Sequence, residues 1–425
     1  MATILVRTTA ELQTALETAY TDPNRIIEVA GGDYSWKGYA LAHLGPPLKD
    51  KPVRGLTLRG VGASPLDVHI HGDSMDNGVG RPSGYALIAS DCHDLTLENL
   101  TLANAKAHLV ALKGENGAAG FTARRCVFLD AGEQFIKGTA NKEIGLGVRD
   151  VTIEDCHFEY RLRDYVDRNV TQGGGAILER IDDRTVRLKL SPGYLDRTSY
   201  PPNYWVGAEV TFAGIRDVSG RVVSSEPWEL QPSHQVLGVD VDVPPTAERI
   251  LLKLDGPDFV IAGAWGPMGG YTGAVDLHMA TGTRIRRSSF RRIGTNLRSD
   301  YGHAVPAVYC WGGSKDSIVE DCDFLDCEGA VSLGLGNKTS VVETQHRNGT
   351  VRRVRFYRHA EVRGDRAIGW DTSPDNLTHD AVVVLNGTYR HAVEYRFPQT
   401  TNSVLVHLKT DAPVPVVCRP EDTTP

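Results

Sequence analysis

One short pattern recurs along the chain and restricts its fold more than any other feature. It reads LTLENLTL at 95–102, FTARRCVF at 121–128 and VTIEDCHF at 151–158. After a gap it resumes as TRIRRSSF at 283–290, SIVEDCDF at 317–324 and TVRRVRF at 350–356. Each copy alternates apolar and polar residues, passes a polar pair and a small or apolar residue, and usually closes on Phe. Alternation is the period of a strand, and self-similarity at a short fixed interval is the signature of a solenoid. Cys126, Cys156 and Cys322 fill one slot in three copies. A small buried residue stacked on its equivalent in the next turn accounts for them.

A second strand-like run accompanies the first: LVALKG (109–114), QFIKG (134–138), AVDLH (274–278), AVYCWG (307–312), AVSLG (330–334) and AVVVLNG (381–387). Units this short, separated by Gly, Asn and Asp turns, cannot bury an apolar face alone. Stacked end to end they share one core and pair every backbone group with the neighbouring turn. The expected fold is therefore all-β, a right-handed parallel β-helix. The one clear helical pattern begins at Thr9, the expected N-cap, with Leu12, Ala15, Leu16 and Ala19 at helical spacing. It would cap the N-terminal end of the solenoid, where strand edges are otherwise exposed.

Between Gln172 and about Gly263 the repeat stops and short alternating strands broken by turns take over. That pattern suggests a small antiparallel barrel or sandwich inserted into one turn. The expected organisation is a cap with the first solenoid turns over 1–171, the insert over 172–263, and the remaining turns with a tail over 264–425. Insertions of this kind commonly sit on the binding face of a solenoid.

Charge and cysteine content exclude several classes. A formal net charge of −7 argues against general binding to nucleic acid or an anionic membrane, and no apolar run approaches a bilayer-spanning length. The seven cysteines show neither a CxxC pair nor a His/Cys cluster at zinc spacing. The opening residues Met1–Arg7 lack the long apolar stretch of a signal peptide.

The opening TTAELQTAL (8–16), the repeated strand pair, GEQFIK (132–137) and AVEYRFP (392–398) together resemble the pectate-lyase-like superfamily of right-handed parallel β-helix proteins. The resemblance covers nearly all the chain outside the insert. It implies a carbohydrate-active enzyme, with an acidic polysaccharide or oligosaccharide as substrate, and favours a secreted or periplasmic location. The superfamily holds lyases, epimerases, hydrolases and esterases, so fold alone does not choose among them.

Alternation places the candidate chemistry. In AVDLH, Val275 and Leu277 would point inward, leaving Asp276 and His278 outward; in AVYCWG, Tyr309 and Trp311 are the outward pair. Aligning the copies on their shared Ala-Val and Gly positions puts Lys113, Lys137, His278, Trp311 and Asn386 in one column. Ala111, Phe135, Asp276, Tyr309 and Val384 then fall in the column two residues earlier. With turns about 4.8 Å apart, the outward members would form one patch, and the insert leaves the solenoid beside it.

Aromatic faces suit sugar rings and a cation suits a carboxylate. In β-elimination from a uronide, a base removes the proton α to the carboxylate and an acid protonates the leaving oxygen. Lys137 or His278 would be the base and Tyr309 or His303 the acid. Trp311 and Lys113 would bind substrate. Asp276 with Glu133 would bind Ca²⁺ through oxygen ligands, or Asp276 would orient His278. Lyases of this fold acting on alginate or dermatan use a Lys base, an assisting Arg and acidic Ca²⁺ ligands. By that resemblance Glu133 and Lys137 match the Glu-x-x-x-Lys part, while Glu133 and Arg161 join the substrate contacts. Arg161 and Arg163 lie in an irregular stretch.

Two rival readings remain. A glycoside hydrolase would need two carboxylates, Asp276 with Glu133 or Asp300. A non-catalytic glycan-binding solenoid would show a long aromatic and polar stripe instead of a compact ionisable cluster. The arginines at 284, 286, 287, 291 and 292 read as a solvated face paired with neighbouring carboxylates. His69 and His71 alternate on one strand, a spacing that would suit a metal pair, but they read as imidazoles without carboxylate partners.

Overall fold

The structure is a computed structural model. It describes residues 3–46, 51–72, 84–105, 107–131, 133–141, 143–160, 170–190, 202–212, 218–228, 234–255, 273–293, 306–327, 329–333, 346–358, 368–370, 378–384, 393–395, 404–410 and 416–418. The chain divides into two units. One comprises Met1–Arg161, Thr272–Gly294 and His303–Pro425; the other comprises Leu162–Tyr271 with Thr295–Gly302. Among the described residues no helix is long and apolar enough to cross a membrane.

The first unit is a parallel β-helix. A complete turn contributes three short strands, each paired in parallel with its equivalents in the turns before and after. One ladder runs through Thr57–Gly60, Thr96–Glu98, Thr122–Arg124, Thr152–Glu154, Arg284–Arg286 and Ile318–Glu320. A second runs through Gly32–Trp36, Val68–Gly72, Thr101–Ala105, Val127–Ala131, His157–Glu159, Ser289–Arg291 and Asp323–Leu325. Both join on the long strand Thr350–Tyr357. The third ladder is a separate ten-stranded sheet containing Tyr85–Ser90, Val110–Lys113, Gln134–Thr139, Gly273–His278, Pro306–Trp311 and Gly329–Leu333.

The repeat explains the core. Phe128, Phe158, Phe290 and Phe324 stack ring on ring at 4.7, 4.9 and 4.7 Å. An isolated aromatic pair prefers an offset or edge-on arrangement; here the strand spacing of about 4.7–4.9 Å imposes the face-to-face one. The cysteine slot lies at the corner between the first two ladders. Each residue before it has a positive φ: 51° at Arg125, 54° at Asp155, 50° at Arg287 and 54° at Asp321. The side chain in the slot then turns back onto the carbonyl two residues earlier. Cys156 Sγ donates to Glu154 O at 3.2 Å, Ser288 Oγ to Arg286 O at 3.0 Å, and Cys322 Sγ to Glu320 O at 3.2 Å. A small donor is what the corner accommodates. Burial pushes the Cys322 thiol up to about 12, so these sulfurs are packing groups and not nucleophiles.

The helix Thr9–Glu17 buries Leu12, Ala15 and Leu16. Its N-cap is Thr8, one residue before the expected Thr9. Thr8 is extended, its hydroxyl accepts from the Glu11 N–H, and the Glu11 carboxylate accepts from the Thr8 N–H, a reciprocal box. In the second unit, the strands Val170–Asp182, Thr185–Leu190, His234–Val239, Ser219–Pro227, Glu209–Phe212 and Arg249–Asp255 close an antiparallel barrel in that order. Its centre is filled by Val186, Leu188, Trp205, Val210, Phe212, Leu237 and Leu252, and closure removes the exposed edges of an open sheet.

Two sequence alignments need correction. Thr378–Val384, aligned above with the third-ladder strands, pairs instead with Thr350–Tyr357 and Val404–Thr410. The strand beside Gly329–Leu333 is Ile368–Trp370. Val384 is therefore not in the column of Tyr309, and Asn386 lies outside the described residues. The second correction concerns Lys137 and bears directly on the site.

Candidate functional site

On the third ladder Val275 and Leu277 enter the core beside Ile136, Val308 and Cys310. The side chains between them face outward. The register pairs Ala111 with Lys137, Lys137 with Asp276, Asp276 with Tyr309 and Tyr309 with Ser332. Lys137 thus belongs to the Asp276 row, two residues along the strand from the Lys113 row in which the sequence alignment put it. The cause is Gly138. It is not a strand-ending glycine like Gly114, which begins a short helical turn, Gly114–Asn116. Gly138 occupies an inward position opposite Leu112 and Leu277. A Cβ there would lie 2.7 Å from Leu277 Cδ2 and 3.0 Å from Val148 Cγ2.

This register brings three ionisable side chains from adjacent turns into contact. Lys137 Nζ donates to Asp276 Oδ2 at 2.5 Å and lies 3.0 Å from His278 Nε2. His278 Nε2 is also 3.3 Å from Asp276 Oδ1. Both oxygens of one carboxylate are therefore engaged by two different nitrogen bases. Asp276 is 2 % exposed, and the Lys137 and His278 side chains 11 % and 13 %. Burial alone pushes the Asp276 carboxyl up, but the Lys137 charge and the hydrogen bonds from His278 and Lys137 outweigh it. The group stays ionised, well below the usual carboxylate range.

A further histidine that the sequence reading missed lies one row away. His108 precedes the strand Val110–Lys113, its position matching Tyr85 in the turn before and Gln134 in the turn after. The Gln134 N–H donates to His108 Nδ1 at 3.4 Å, which leaves the ring proton on Nε2, 3.6 Å from Glu133 Oε2. Burial first, then the charge of Lys137, lowers His108 to about 3, so the ring is neutral. Tyr85 packs edge-on to His108 at 5.5 Å and to Tyr39 at 5.2 Å. Burial, then Tyr39 and Glu133, raise the Tyr85 phenol to about 12. The signal was present in sequence: His108 stands three residues before Ala111, as Gln134 stands three before Lys137.

Of the other expected site residues, Tyr309 is half-buried beside Asp276 in the register, and Trp311 pairs with His278 along the backbone. The Trp311 side chain, and His303, Arg161 and Asp300 entirely, lie outside the described residues. Lys113 shares its row with Ser90 and Thr139. Glu133 faces His108, and its carbonyl accepts from the Tyr160 hydroxyl at 2.5 Å.

Ca²⁺ requires six to eight oxygen ligands. Among the described residues no converging group of three His, Cys, Asp or Glu side chains includes Asp276 or Glu133. Both Asp276 oxygens already hold nitrogen partners, Lys137 Nζ and His278 Nε2.

No protein-family model matches the chain, and no curated protein matches it in sequence. Several solved structures do resemble it. An alginate lyase from Paenibacillus sp. str. FPU-7 aligns over 98 % of this chain and 98 % of that one, at 12 % identity and TM-score 0.47. A mannuronic acid specific polysaccharide family 6 lyase from human gut microbiota aligns over 99 % and 83 %, at 11 % identity and TM-score 0.36. A GH136 lacto-N-biosidase from Eubacterium ramulus aligns over 99 % and 67 %, at 9 % identity and TM-score 0.38.

Proposed function

We propose that this chain is a carbohydrate-active enzyme that cleaves a uronate-containing glycan by β-elimination, with Lys137, Asp276 and His278 as its acid–base centre. The observation that carries the reading is the contact of two nitrogen bases, 3.0 Å apart, over one buried carboxylate. With Asp276 ionised, an electrically neutral trio holds one shared proton. On Nζ, that proton leaves an ammonium donating to Asp276 and to the imidazole. On Nε2, it leaves an imidazolium donating to Asp276 Oδ1 and a neutral amine beside it. The second arrangement provides a base and keeps a positive charge next to it, which is what a sugar carboxylate needs while its α-carbon loses a proton.

In the elimination, the Lys137 amine takes the proton from C5 of the uronate, and the electrons of that bond form the C4–C5 double bond. The C4–O4 bond breaks and its electrons leave on O4. Tyr309, next to Asp276 in the register, supplies the proton that O4 takes up. An epimerase would share the first step and return a proton to the opposite face of C5. In a hydrolase the ionised Asp276 would be the nucleophile or base, and a second carboxyl with a raised pKa would have to be the acid.

The test is incubation of the full chain with alginate, polygalacturonate and dermatan sulfate, following unsaturated-uronate absorbance and new reducing ends. Absorbance is expected on at least one polymer. Lys137→Met and His278→Ala should each reduce the rate by about 10²–10⁴-fold. Reducing ends without absorbance would replace elimination by hydrolysis, and neither signal on any polyuronide would reject the reading.

A further inference from the structure

A second cluster of ligating side chains lies on a different sheet from Lys137. His69 and His71 project from the same face of the strand Val68–Gly72, whose intervening residues are buried. The preceding turn lays Gly32–Trp36 alongside, pairing Asp33 with His69 and Ser35 with His71. Asp33, far from both histidines in sequence, is thereby set beside them. We propose that Asp33, His69 and His71 form a binding site for a borderline divalent transition-metal ion, Zn²⁺ being the probe of choice.

Four observations carry this. One ligand atom from each residue lies within 4.8 Å of the other two. Tetrahedral ligands bound at about 2.0–2.1 Å stand roughly 3.3 Å apart, so only a small closing movement is needed. The Asp33 side chain is 78 % exposed and free to turn, and its Oδ1 lies 3.0 Å from His69 Nδ1, where an ion would displace the proton shared in that contact.

The third is the tautomer of His71. Its Nδ1 lies 3.2 Å from the Gly72 carbonyl, which can only accept. That contact puts the ring proton on Nδ1 and the lone pair on Nε2, the outer contact by which ligating histidines are commonly oriented. The fourth is room. The two rings stand 4.8 Å apart and nearly parallel, and the next strand presents only Thr101 and Ala103 opposite them. Thr101 turns its hydroxyl to Pro65 O at 2.8 Å, so no cationic group from that strand competes for the position.

Two imidazoles and one carboxylate select zinc-class ions over Ca²⁺ or Mg²⁺ and leave a fourth position for water or an added ligand. Because the ligands come from two successive turns, an ion here would tie the strand at 32–36 to the strand at 68–72. The site is independent of the proposed glycan chemistry, and its failure would leave that reading untouched.

The test uses the full chain stripped with chelator and titrated calorimetrically with Zn²⁺, with Co²⁺ absorption as the coordination readout. One saturable Zn²⁺ per chain is expected, together with a Zn²⁺-dependent rise in the thermal midpoint. His71→Ala and Asp33→Asn should weaken binding by about 100-fold or more and abolish the thermal shift. His278→Ala should retain both. Saturable binding that persists in His69→Ala/His71→Ala, or its absence in the unaltered chain, would overturn the proposal.

Discussion

Replacing Lys137 by Met should invert the sign of a pH dependence. In the unaltered protein Asp276 titrates below its unfolded value. Its stabilising contribution is therefore present above the unfolded pKa of about 3.9 and is lost only as pH falls through the lower folded value. Met has nearly the length of Lys and keeps the packing, but removes the cation bonded at 2.5 Å to a carboxylate that is 2 % exposed. Breaking one side of such a buried pair costs about 3–5 kcal/mol.

The folded variant can relieve that cost by taking up a proton. Either burial, no longer opposed by the ammonium, raises the Asp276 carboxyl, or His278, 3.3 Å away, charges and becomes the counter-ion. By both routes the folded state holds one proton more than the unfolded chain, so stability rises as pH falls. The limiting slope is about 1.4 kcal/mol per pH unit. Urea unfolding followed by tryptophan fluorescence should show the full deficit at pH 9. The deficit should shrink as pH falls from 9 to 5, by no more than about 1.4 kcal/mol per pH unit. A deficit under about 1 kcal/mol at pH 9, or one that does not shrink between pH 9 and pH 5, would refute the account of Asp276 as a buried anion held by Lys137.

Three other outcomes follow from the structure. Because both Asp276 oxygens carry nitrogen partners, any uronide-cleaving activity should survive EDTA at full rate; loss on chelation with recovery in Ca²⁺ would contradict that geometry. Gly138→Ala should cost about 1–3 kcal/mol in urea unfolding and lower activity with it, since the new methyl meets Leu277 and Val148; a silent substitution would show that the core there can yield. His346, bonded through Nε2 to Ser317 Oγ at 3.0 Å, is lowered by burial to about 3. The unfolded chain takes up that proton first, so stability falls from about pH 6.5 toward 3, and His346→Gln should flatten this part of the profile.

The sequence made the ladders visible because their cause is local. Alternation and the recurring Phe and Cys each report a slot that repeats within a few residues. The stacked Phe128, Phe158, Phe290 and Phe324 are the direct consequence. Register on the third ladder was legible only in part. Lys-Gly occurs at 113–114 and at 137–138, but the first glycine begins a turn and the second sits over Leu277. No local pattern separates a glycine needed for its backbone from one needed for its lack of a side chain. Asp276 and His278 were recoverable from alternation alone. The contact of His108 with Glu133, and of Asp33 with His69, depends on residues 25 or more positions apart in neighbouring turns, and so on the pairing itself.

That dependence makes the return of the chain from the barrel the critical step in building the site. Gln134–Thr139 and Gly273–His278 are adjacent strands, yet the whole barrel lies between them in sequence. A slip of one residue would turn Asp276 inward and Val275 outward. The same turn carries contacts that oppose a slip, all between residues 132 apart. Arg287 grips Asp155 through two bonds at 2.8 and 3.0 Å, Arg286 bonds Glu154, His157 Nδ1 meets Ser289 Oγ at 2.7 Å, and Phe158 stacks on Phe290. Along the corner, Arg125, Asp155, Arg287, Asp321 and Arg353 occupy equivalent positive-φ positions in successive turns. Each acid therefore lies between two arginines, and a displacement by a whole turn would set like charge beside like. Exposed pairs of this kind add little stability individually. Their effect is to penalise the wrong alignment, and the alignment they favour is the one that puts Lys137 against Asp276.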